Sequence, residues 1–303
     1  MSANRIIIAG GSGFIGRALT LDFLARGYEV VILTRSPRTR ADAAREVAWD
    51  GRTPGEWCQW LESARAVINL TGKNINCPHT PANLRDLIAS RENSVKILAE
   101  TIVRLNVPPT VWVQASATGF YGDTGDRICD ETSPVGSNAL ATICQEWEAA
   151  FQTAKLTATR RVILRIGFVL GRDGGALPVL RRITQFFLGG TAGSGKQFIS
   201  WIHLDDLVRL FGTAVENADY AGTYNAVAPN PVTNAQFMRE LRRVLRRPWS
   251  PPAPVFGVKL GARLMGSDPA LALISSRCVS RRLKHSGFTF QYFNLPEALI
   301  NLV

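Results

Sequence analysis

The stretch "IIIAGGSGFIGRAL" (residues 6–19) decides the fold. An apolar run ends in a glycine-rich turn, and a helical pattern follows and closes at Gly27. Gly10, Gly13 and Gly16 have the spacing G-x-x-G-x-x-G at the junction of strand and helix. Glycine is needed there for a tight turn, for close approach of the backbone to a pyrophosphate, and for helix packing. Because the helix N-terminus also offers free amides to phosphates, the stretch predicts a dinucleotide-binding site.

Apolar runs and helical patterns alternate beyond this point. The runs are "RIIIAG", "EVVILTR", "EVAWD", "AVINLTG", "VWVQASA" and "RVILRIGFVLG", with helical patterns over 15–26 and 81–105. The runs are continuously apolar, which is typical of strands buried on both faces of a parallel sheet. The sequence therefore predicts an α/β fold with a Rossmann-type doubly wound parallel sheet.

The regular alternation breaks down after about residue 171, which predicts a second unit. We expect an NADP-binding Rossmann domain over 1–170 and a smaller C-terminal α/β substrate-binding subdomain over 171–199 and 229–303, with 200–228 returning to the first domain. Late, irregular segments of this kind usually cover the carboxyl ends of the strands, where substrates bind in open α/β folds.

Composition limits the class of protein. The chain has 303 residues, of which 46% are hydrophobic and 19% charged, as in ordinary globular proteins. No stretch approaches the roughly 18 apolar residues of a membrane span, and no signal peptide precedes "RIIIAGG", so we expect a cytoplasmic protein without a membrane partner. The five cysteines form no C-x-x-C pair, and the sequence predicts no metal site.

The net charge of +11 raises the question of nucleic-acid binding. Much of the excess lies in "RRVLRRP" (242–248) and "RCVSRRLKH" (277–285). Around the first, Phe237, Leu241 and Val244 recur at helical spacing, which favours an amphipathic surface helix with a basic face over a DNA-binding element. We expect a small-molecule substrate and no nucleic-acid partner, and a basic surface would attract phosphorylated or carboxylated small molecules. Nucleic-acid binding through the basic tail is the less favoured alternative, which salt-dependent DNA affinity would reveal.

The end of the second predicted strand discriminates between cofactors. A site for NAD usually places Asp or Glu about 20 residues beyond the glycines, where it binds the ribose 2′-hydroxyl. Here the sequence is "VILTRSPR", with Arg35 in that region and no carboxylate. A guanidinium can pair with a 2′-phosphate, and the sequence therefore predicts NADP(H).

Five motifs carry a family resemblance, the first of them inside the opening stretch: "GGSGFIG", "INLTG" (68–72), "QASATGFYG" (114–122), "LRIGFVLG" (164–171) and "WIHLDDL" (201–207). Together they resemble the extended short-chain dehydrogenases/reductases of the NAD-dependent epimerase/dehydratase superfamily. With "NAVAPNPVTNAQF" (225–237), the chain is similar to an atypical epimerase-like subgroup that has a characteristic C-terminal domain.

The resemblance implies NADP(H) binding and a set of cofactor contacts. These are Gly10, Gly13, Phe14, Ile15 and Gly16 in the loop, Thr34 and Arg35 at the adenosine end, Leu70, Thr71 and Gly72 after the fourth strand, Arg91 in the following helix, and Ala115 in the fifth strand.

The usual catalytic pair of the family, Y-x-x-x-K, is absent. In "LATICQEWEAAF", Leu140 stands where tyrosine belongs and Cys144 where lysine belongs, and none of the five tyrosines has lysine four residues later. Ser116 and Tyr121 are the predicted catalytic residues, with Thr118 and Cys144 as alternatives. In a second interpretation the substrate or water supplies the proton, and in a third the protein binds the cofactor without turnover.

The sequence accordingly favours an oxidoreductase or epimerase-like enzyme that acts on a small polar substrate, with nucleotide-linked compounds among the candidates. The alternative is a non-catalytic NADP(H) sensor or regulator, since some members of the subgroup carry a cell-division-inhibitor label. We expect a monomer or a homodimer.

Overall fold

A seven-stranded sheet forms the centre of this computed structural model, which describes residues 4–247 and 249–303. The strands are β1 (Arg5–Ala9), β2 (Glu29–Thr34), β3 (Arg45–Ala48), β4 (Ala66–Asn69), β5 (Val111–Ala117), β6 (Arg160–Ile166), β7 (Phe168–Leu170), β8 (Phe198–Ile199), β9 (Trp201–His203), β10 (Gly222–Ala226) and β11 (Val232–Thr233). The α-helices are α1 (Phe14–Ala25), α2 (Pro81–Val103), α3 (Ala139–Gln152), α4 (Leu177–Gln185), α5 (Leu204–Glu216), α6 (Asn234–Val244), α7 (Val255–Leu264), α8 (Ala270–Leu273), α9 (Arg281–His285) and α10 (Leu295–Leu302). Two short 3-10 helices cover Glu56–Leu61 and Thr118–Tyr121.

The strand order is β10-β6-β5-β4-β1-β2-β3, and every neighbouring pair is parallel. The apolar runs explain this arrangement, because residues 6–8 and 30–33 are buried on both faces of the sheet. Helices α1 and α5 contact each other on the sheet, as do α2 and α3. The predicted Rossmann-type doubly wound sheet is confirmed.

The chain reverses direction along the sheet at β1, which lies between β2 and β4. Ligands of open α/β sheets bind at this switch point, beyond the carboxyl ends of the strands. The turns after β1, β2 and β4 all lie at that edge. The fold therefore brings together the three segments in which the sequence analysis places the cofactor.

The C-terminal region builds a second hydrophobic cluster beside the main core. Its buried residues include Leu177, Trp201, Phe237, Leu241 and Leu299. Two small sheets, parallel β7–β9 and antiparallel β8–β11, lie in this part of the chain. Between them in sequence, α5 and β10 return to the central sheet, where β10 pairs with β6.

The basic stretch 242–248 is helical only in part. Helix α6 ends at Val244, and Arg246 has a positive φ of 56°, so the last arginines form a turn. Phe237 and Leu241 are buried, while Arg243 and Arg246 are exposed. Pro248 and the first three residues of the predicted first domain lie outside the described residues.

Candidate cofactor-binding and active site

The glycine loop joins β1 to α1 through contacts that a side chain would block. Gly10 has a φ of +80° and donates its amide to the Leu33 carbonyl at 3.1 Å. At Gly16, a Cβ atom would lie 2.5–2.7 Å from backbone atoms of Gly11. Helix α1 can therefore approach the loop this closely only with glycine at position 16.

The N-terminus of α1 is open. Its N-cap residue, Gly13, has no side chain to accept a hydrogen bond, and the first turn contains no acidic residue. A Cβ at Gly13 would contact only the Gly10 carbonyl oxygen, at 3.5 Å, so the space in front of the helix is free. The amides of the first helical turn have no partner within a helix, and with the dipole they are suited to an anionic group.

Phe14 and Ile15, the next two residues, contribute differently. The Phe14 ring packs against the loop after β7, because a Cβ at Gly171 or Gly174 would lie within 2.4 Å of the ring. Ile15 is half-buried and packs on the main core. Their side chains hold α1 in place, and their backbone amides belong to the open helix N-terminus.

The carboxyl end of β2 presents an uncompensated cation. Arg35 is exposed, and within the described residues its side chain has neither a hydrogen bond nor an ion pair. The neighbouring strand β3 carries a carboxylate, Glu46, but this carboxylate already forms an ion pair with Arg40 at 3.0 Å. Thr34, half-buried, precedes Arg35 at the end of the strand. An anionic group at this edge therefore meets a free guanidinium and no competing carboxylate.

The segment after β4 closes the other side of the cleft. A Cβ at Gly10 would lie 3.2 Å from the backbone of Leu70 and of Thr71, so the two turns are in close contact. The Thr71 hydroxyl is buried and has no hydrogen-bond partner in the described structure. Such an orphaned polar atom costs free energy, and a bound ligand could satisfy it. Ala115, in contrast, is buried in β5 as part of the main core.

Arg91 on α2 lies beside this segment. The Arg91 guanidinium packs closely on Gly72, since a Cβ atom added to that glycine would lie 2.9 Å from the guanidinium carbon. The same carbon lies 5.0 Å from the centre of the Trp147 ring. The Arg91 side chain donates to the Leu87 carbonyl at 2.9 Å. No carboxylate in the described part of the chain pairs with Arg91, and burial lowers the pKa of its guanidinium. Arg91 is thus a desolvated cation without a counter-ion.

Leu140 and Cys144 share one face of α3, which packs on the turn after β5. A Cβ at Gly119 would lie 3.4 Å from Leu140 Cβ and 3.6 Å from Cys144 Sγ. Burial raises the pKa of the Cys144 thiol to about 12, so the thiol stays neutral near pH 7. The two residues that the sequence analysis aligns with the family's Tyr and Lys are therefore together, and neither titrates near neutral pH.

Ser116 and Tyr121 belong to one buried polar network. Ser116 donates to Glu148 Oε1 at 2.6 Å, and Glu148 forms a two-pronged ion pair with Arg165 at 2.8 and 2.9 Å. Arg165 donates to the Tyr121 hydroxyl at 2.9 Å, and this hydroxyl donates to Asn225 Oδ1 at 2.7 Å. Burial raises the pKa of Tyr121, which leaves its phenol protonated.

Sequence reasoning missed Glu148, Arg165 and Asn225. A signal existed: Arg165 interrupts the apolar run "RVILRIGFV", and Glu148 lies one helical turn beyond Cys144. A charged residue inside a buried strand needs a partner, which the network supplies. Thr118 lies just outside this network, where it accepts a hydrogen bond from Ser276 at 3.3 Å. The catalytic roles of Ser116, Thr118, Tyr121 and Cys144 stay predictions.

Metal-binding and membrane-spanning features are both missing from the described residues. They contain no group of three or more His, Cys, Asp or Glu side chains placed to hold a metal ion. Their helices include none that combines the length and the apolar character needed to cross a bilayer.

The fold and the open helix N-terminus define a Rossmann-type protein with a glycine-rich loop in its first strand–turn–helix unit. The chain belongs to the NAD dependent epimerase/dehydratase family, which matches residues 6–227. Residues 253–302 match a domain described as "Domain of unknown function (DUF1731)". The resemblance to an atypical epimerase-like subgroup of extended short-chain dehydrogenases/reductases is thereby confirmed.

Relatives span the whole chain. The chain is 35% identical over 302 residues to "Epimerase family protein SDR39U1 homolog, chloroplastic" of Arabidopsis thaliana. The matched region covers 97% of this chain and 85% of the relative. A solved structure of human epimerase family protein SDR39U1 (isoform 2) with NADPH is 31% identical, with a TM-score of 0.88 and 98% of both chains covered. A Corynebacterium glutamicum structure described as a nucleoside-diphosphate sugar epimerase is 31% identical, with a TM-score of 0.80, over 99% of this chain and 58% of that one.

Proposed function

We propose that the protein is an NADP(H)-dependent oxidoreductase or epimerase-like enzyme. The observation that carries the proposal is the pairing of an open helix N-terminus at Gly13 with a free guanidinium at Arg35. The first is suited to a pyrophosphate and the second to a 2′-phosphate. The human SDR39U1 structure, described with NADPH, supports this choice of cofactor.

The residues of the cleft fit a bound dinucleotide. The loop from Gly10 to Gly16 holds the pyrophosphate, and the orphaned Thr71 hydroxyl gains a hydrogen-bond partner. Arg91 lies where its charge can meet a phosphate or ribose oxygen. When bound, NADPH supplies a hydride.

At the reaction end, we propose that Arg91 provides the cation that the family's lysine normally provides. It lies near Cys144, which occupies the lysine position, and its charge is not neutralised by a carboxylate. A desolvated guanidinium there can stabilise an oxygen that becomes negative during the reaction. Ser116 and Tyr121, whose hydroxyls are engaged by Glu148, Arg165 and Asn225, would hold the wall of the site.

For the substrate, we propose a small polar compound, with nucleoside-diphosphate sugars as the first class to examine. Two observations support this class: the similar Corynebacterium glutamicum protein is described as a nucleoside-diphosphate sugar epimerase, and the net charge of +11 favours an anionic substrate. The substrate would bind between the strand ends and the C-terminal region, with 171–199 and 229–303 as the substrate-binding subdomain. A cytoplasmic location and a monomeric or homodimeric state stay predictions.

Calorimetric titration tests the cofactor. Wild-type protein should bind NADPH more tightly than NADH, and Arg35→Ala should weaken NADPH binding by roughly tenfold to a hundredfold, since a charged hydrogen bond is worth about 1.5–3 kcal/mol. Binding of NADH should not change, because it lacks the 2′-phosphate. Arg104→Ala, at an exposed arginine where α2 ends, is the matched control. Equal affinity for the two cofactors would refute the NADP(H) assignment.

A turnover screen tests the enzyme itself. Protein with NADPH is offered simple carbonyl compounds and NADPH oxidation is followed; protein with NADP+, which can accept a hydride from a sugar carbinol, is offered nucleoside-diphosphate sugars and epimerisation is followed. Arg91→Ala should abolish any turnover found, and Arg91→Lys should retain part of it.

A non-catalytic NADP(H) sensor is the second candidate, favoured by the neutral Leu140 and Cys144 at the catalytic positions. A sensor should bind NADPH, change its hydrogen-exchange protection on binding, and turn over nothing in the screen.

A further inference from the structure

Exposed apolar side chains are concentrated in two segments of the C-terminal region, 186–188 and 249–271. Among the described residues, these segments hold ten of the eighteen large apolar side chains that are exposed. The other eight are spread along the chain from Leu21 to Ile300. Single exposed apolar residues are normal on a protein surface, whereas a concentration of them marks an interaction site.

Helix α7 contributes a continuous apolar line. Phe256, Leu260 and Leu264 are 75%, 58% and 80% exposed. Residues four apart lie one above the other on a helix, so the three side chains point to the same side. The side chain that α7 buries is Ala262, from the opposite part of the helix. The helix is therefore attached to the protein by one face and presents the other to its surroundings.

The second apolar segment is Phe186, Phe187 and Leu188, directly after α4. Phe187 has a positive φ of 61°, a conformation that bulky residues rarely adopt. The chain thus accepts an unfavourable backbone geometry at a place where it also exposes three apolar side chains. Strain of this kind is typical of functional positions.

Backbone hydrogen bonds connect the two segments. The amide of Gly193 donates to the Ala253 carbonyl, and the amide of Ala253 donates to the Thr191 carbonyl, both at 2.8 Å. The chain after Leu188 therefore runs beside the residues that lead into α7. Six of the ten exposed side chains in the two segments are called the apolar face below: Phe186, Phe187, Leu188, Phe256, Leu260 and Leu264.

A groove of about 420 Å³ lined by five arginines adjoins the apolar face. These residues, the arginine groove, are Arg239, Arg242, Arg243, Arg246 and Arg247. Glu240 provides counter-charge to two of them, Arg239 and Arg243.

Two contacts connect the arginine groove to the apolar segment. The Arg247 guanidinium lies 5.1 Å from the centre of the Phe187 ring, and Arg242 donates to the Gly189 carbonyl at 2.8 Å. Helix α7 adds Lys259 and Arg263 to the positive charge. Apolar and cationic groups therefore occur side by side in this region.

Charge and side-chain chemistry decide among three kinds of partner. A second copy that docked through this same face would bring two arginine grooves together, and like charges repel. Single-stranded nucleic acid binds through stacking of bases on aromatic rings, but half of the apolar face is leucine. A bilayer with anionic headgroups matches both features, because phosphates pair with arginine while leucine and phenylalanine enter the acyl boundary.

We propose that the apolar face and the arginine groove form a peripheral membrane-binding surface for anionic lipids. The sequence-based expectation of no membrane partner depended on the absence of a spanning segment, and surface binding needs none. The residues of this surface lie in the proposed substrate-binding subdomain but are separate from those proposed to hold the cofactor, so vesicle binding and NADPH binding are tested independently.

Vesicle sedimentation with the full-length protein tests the proposal. Wild-type protein should bind vesicles of phosphatidylcholine mixed with phosphatidylglycerol and should bind pure phosphatidylcholine at least about tenfold more weakly. The double variant Leu260→Asp/Leu264→Asp should lose binding to the mixed vesicles by roughly tenfold or more. Arg243→Glu/Arg246→Glu should lose it by a similar factor and flatten the salt dependence.

Matched controls carry the same changes elsewhere. Leu21→Asp/Ile128→Asp replaces side chains that are 60% and 55% exposed, and Arg104→Glu/Arg127→Glu reverses two exposed arginines. Both should bind mixed vesicles like wild type. Thermal unfolding and NADPH titration of all variants show whether each one is folded.

Three outcomes would overturn the proposal. The first is that wild-type protein sediments equally with neutral and anionic vesicles, or with neither. The second is that the control variants lose binding as much as the test variants. The third is that Leu260→Asp/Leu264→Asp converts a dimer into a monomer in light scattering, or abolishes binding to an oligonucleotide, while no vesicle binding is seen. That result would assign the surface to a second copy or to a nucleic acid.

Discussion

Two regions at the carboxyl ends of the strands each contain a buried guanidinium, and their surroundings are opposite. Around Arg165, burial alone would lower the pKa of the guanidinium, but hydrogen bonds and charge from Glu148 raise it overall. Around Arg91, burial lowers the pKa of the guanidinium, and no carboxylate among the described residues compensates. The first region is electrostatically complete and the second is not. The difference suggests a structural role for the Arg165 region and agrees with the anionic ligand proposed for the Arg91 region.

The largest effect is expected from breaking the complete region. Arg165→Met leaves the Glu148 carboxylate buried without a cation, which should lower the free energy of unfolding by about 3–5 kcal/mol. Denaturant unfolding at neutral pH measures the loss. The double variant Glu148→Gln/Arg165→Met removes both charges and should recover a large part of it. If the double variant is no more stable than the single one, charge is not what the pair contributes.

Two glycines of the loop offer a similar contrast, because a side chain at Gly16 would meet packed backbone and a side chain at Gly13 would enter free space. Gly16→Ala forces a methyl group against the backbone of Gly11 and should cost about 1–3 kcal/mol of unfolding free energy. Gly13→Ala places its methyl in open space and should leave stability nearly unchanged, but it should abolish NADPH binding because it occupies the phosphate position. Denaturant unfolding and calorimetry separate the two effects. Equal losses of stability would show that the N-terminus of α1 is not open.

Removing the charge at Arg91 should not lower the free energy of unfolding, in contrast to removing the charge at Arg165. Arg91→Met removes a buried charge that lacks a counter-ion, so unfolding free energy should stay constant or rise by up to about 1 kcal/mol. Affinity for NADPH should fall about tenfold, and Arg91→Lys should retain part of it. Thermal unfolding and calorimetry on the same samples measure both quantities. A loss of stability without a loss of affinity would make Arg91 a structural residue.

The smallest effect concerns the Cys144 thiol, which lies near Arg91. Its pKa is raised from 9.0 to about 12 in the folded protein, so it cannot serve as the missing counter-charge at neutral pH. Its contribution to stability is complete below pH 9 and is lost as pH rises from 9 toward 12, because the unfolded thiol ionises first. Between pH 8 and 10, wild type should therefore lose about 1 kcal/mol more unfolding free energy than Cys144→Ala. Parallel pH profiles of the two proteins would contradict a buried thiol.

Local sequence pattern predicted the sheet and the glycine loop. Strands β1, β2, β4 and β5 are mostly apolar and buried, and Gly10 and Gly16 satisfy steric demands within a few residues of themselves. Arg35 and Leu140 could likewise be located by their distance from recognisable motifs.

The polar network could not be predicted in this way. Ser116 and Glu148 are 32 residues apart, and Tyr121 and Asn225 are 104 apart, so no local pattern connects them. The same holds for the orphaned Thr71 hydroxyl, whose lack of a partner depends on everything packed around it. Tertiary packing determines both features.

The position of β10 at the edge of the sheet has a consequence for synthesis of the chain. Asn225, on β10, accepts the Tyr121 hydrogen bond, and its own amide group donates to the Val279 carbonyl. A ribosome adds about 5–20 residues per second, so several seconds pass between synthesis of Tyr121 and of Asn225. Glu148 and Arg165 are synthesised within that interval, before the strand that completes the network. The last hydrogen bonds of the buried network close only when nearly the whole polypeptide has emerged.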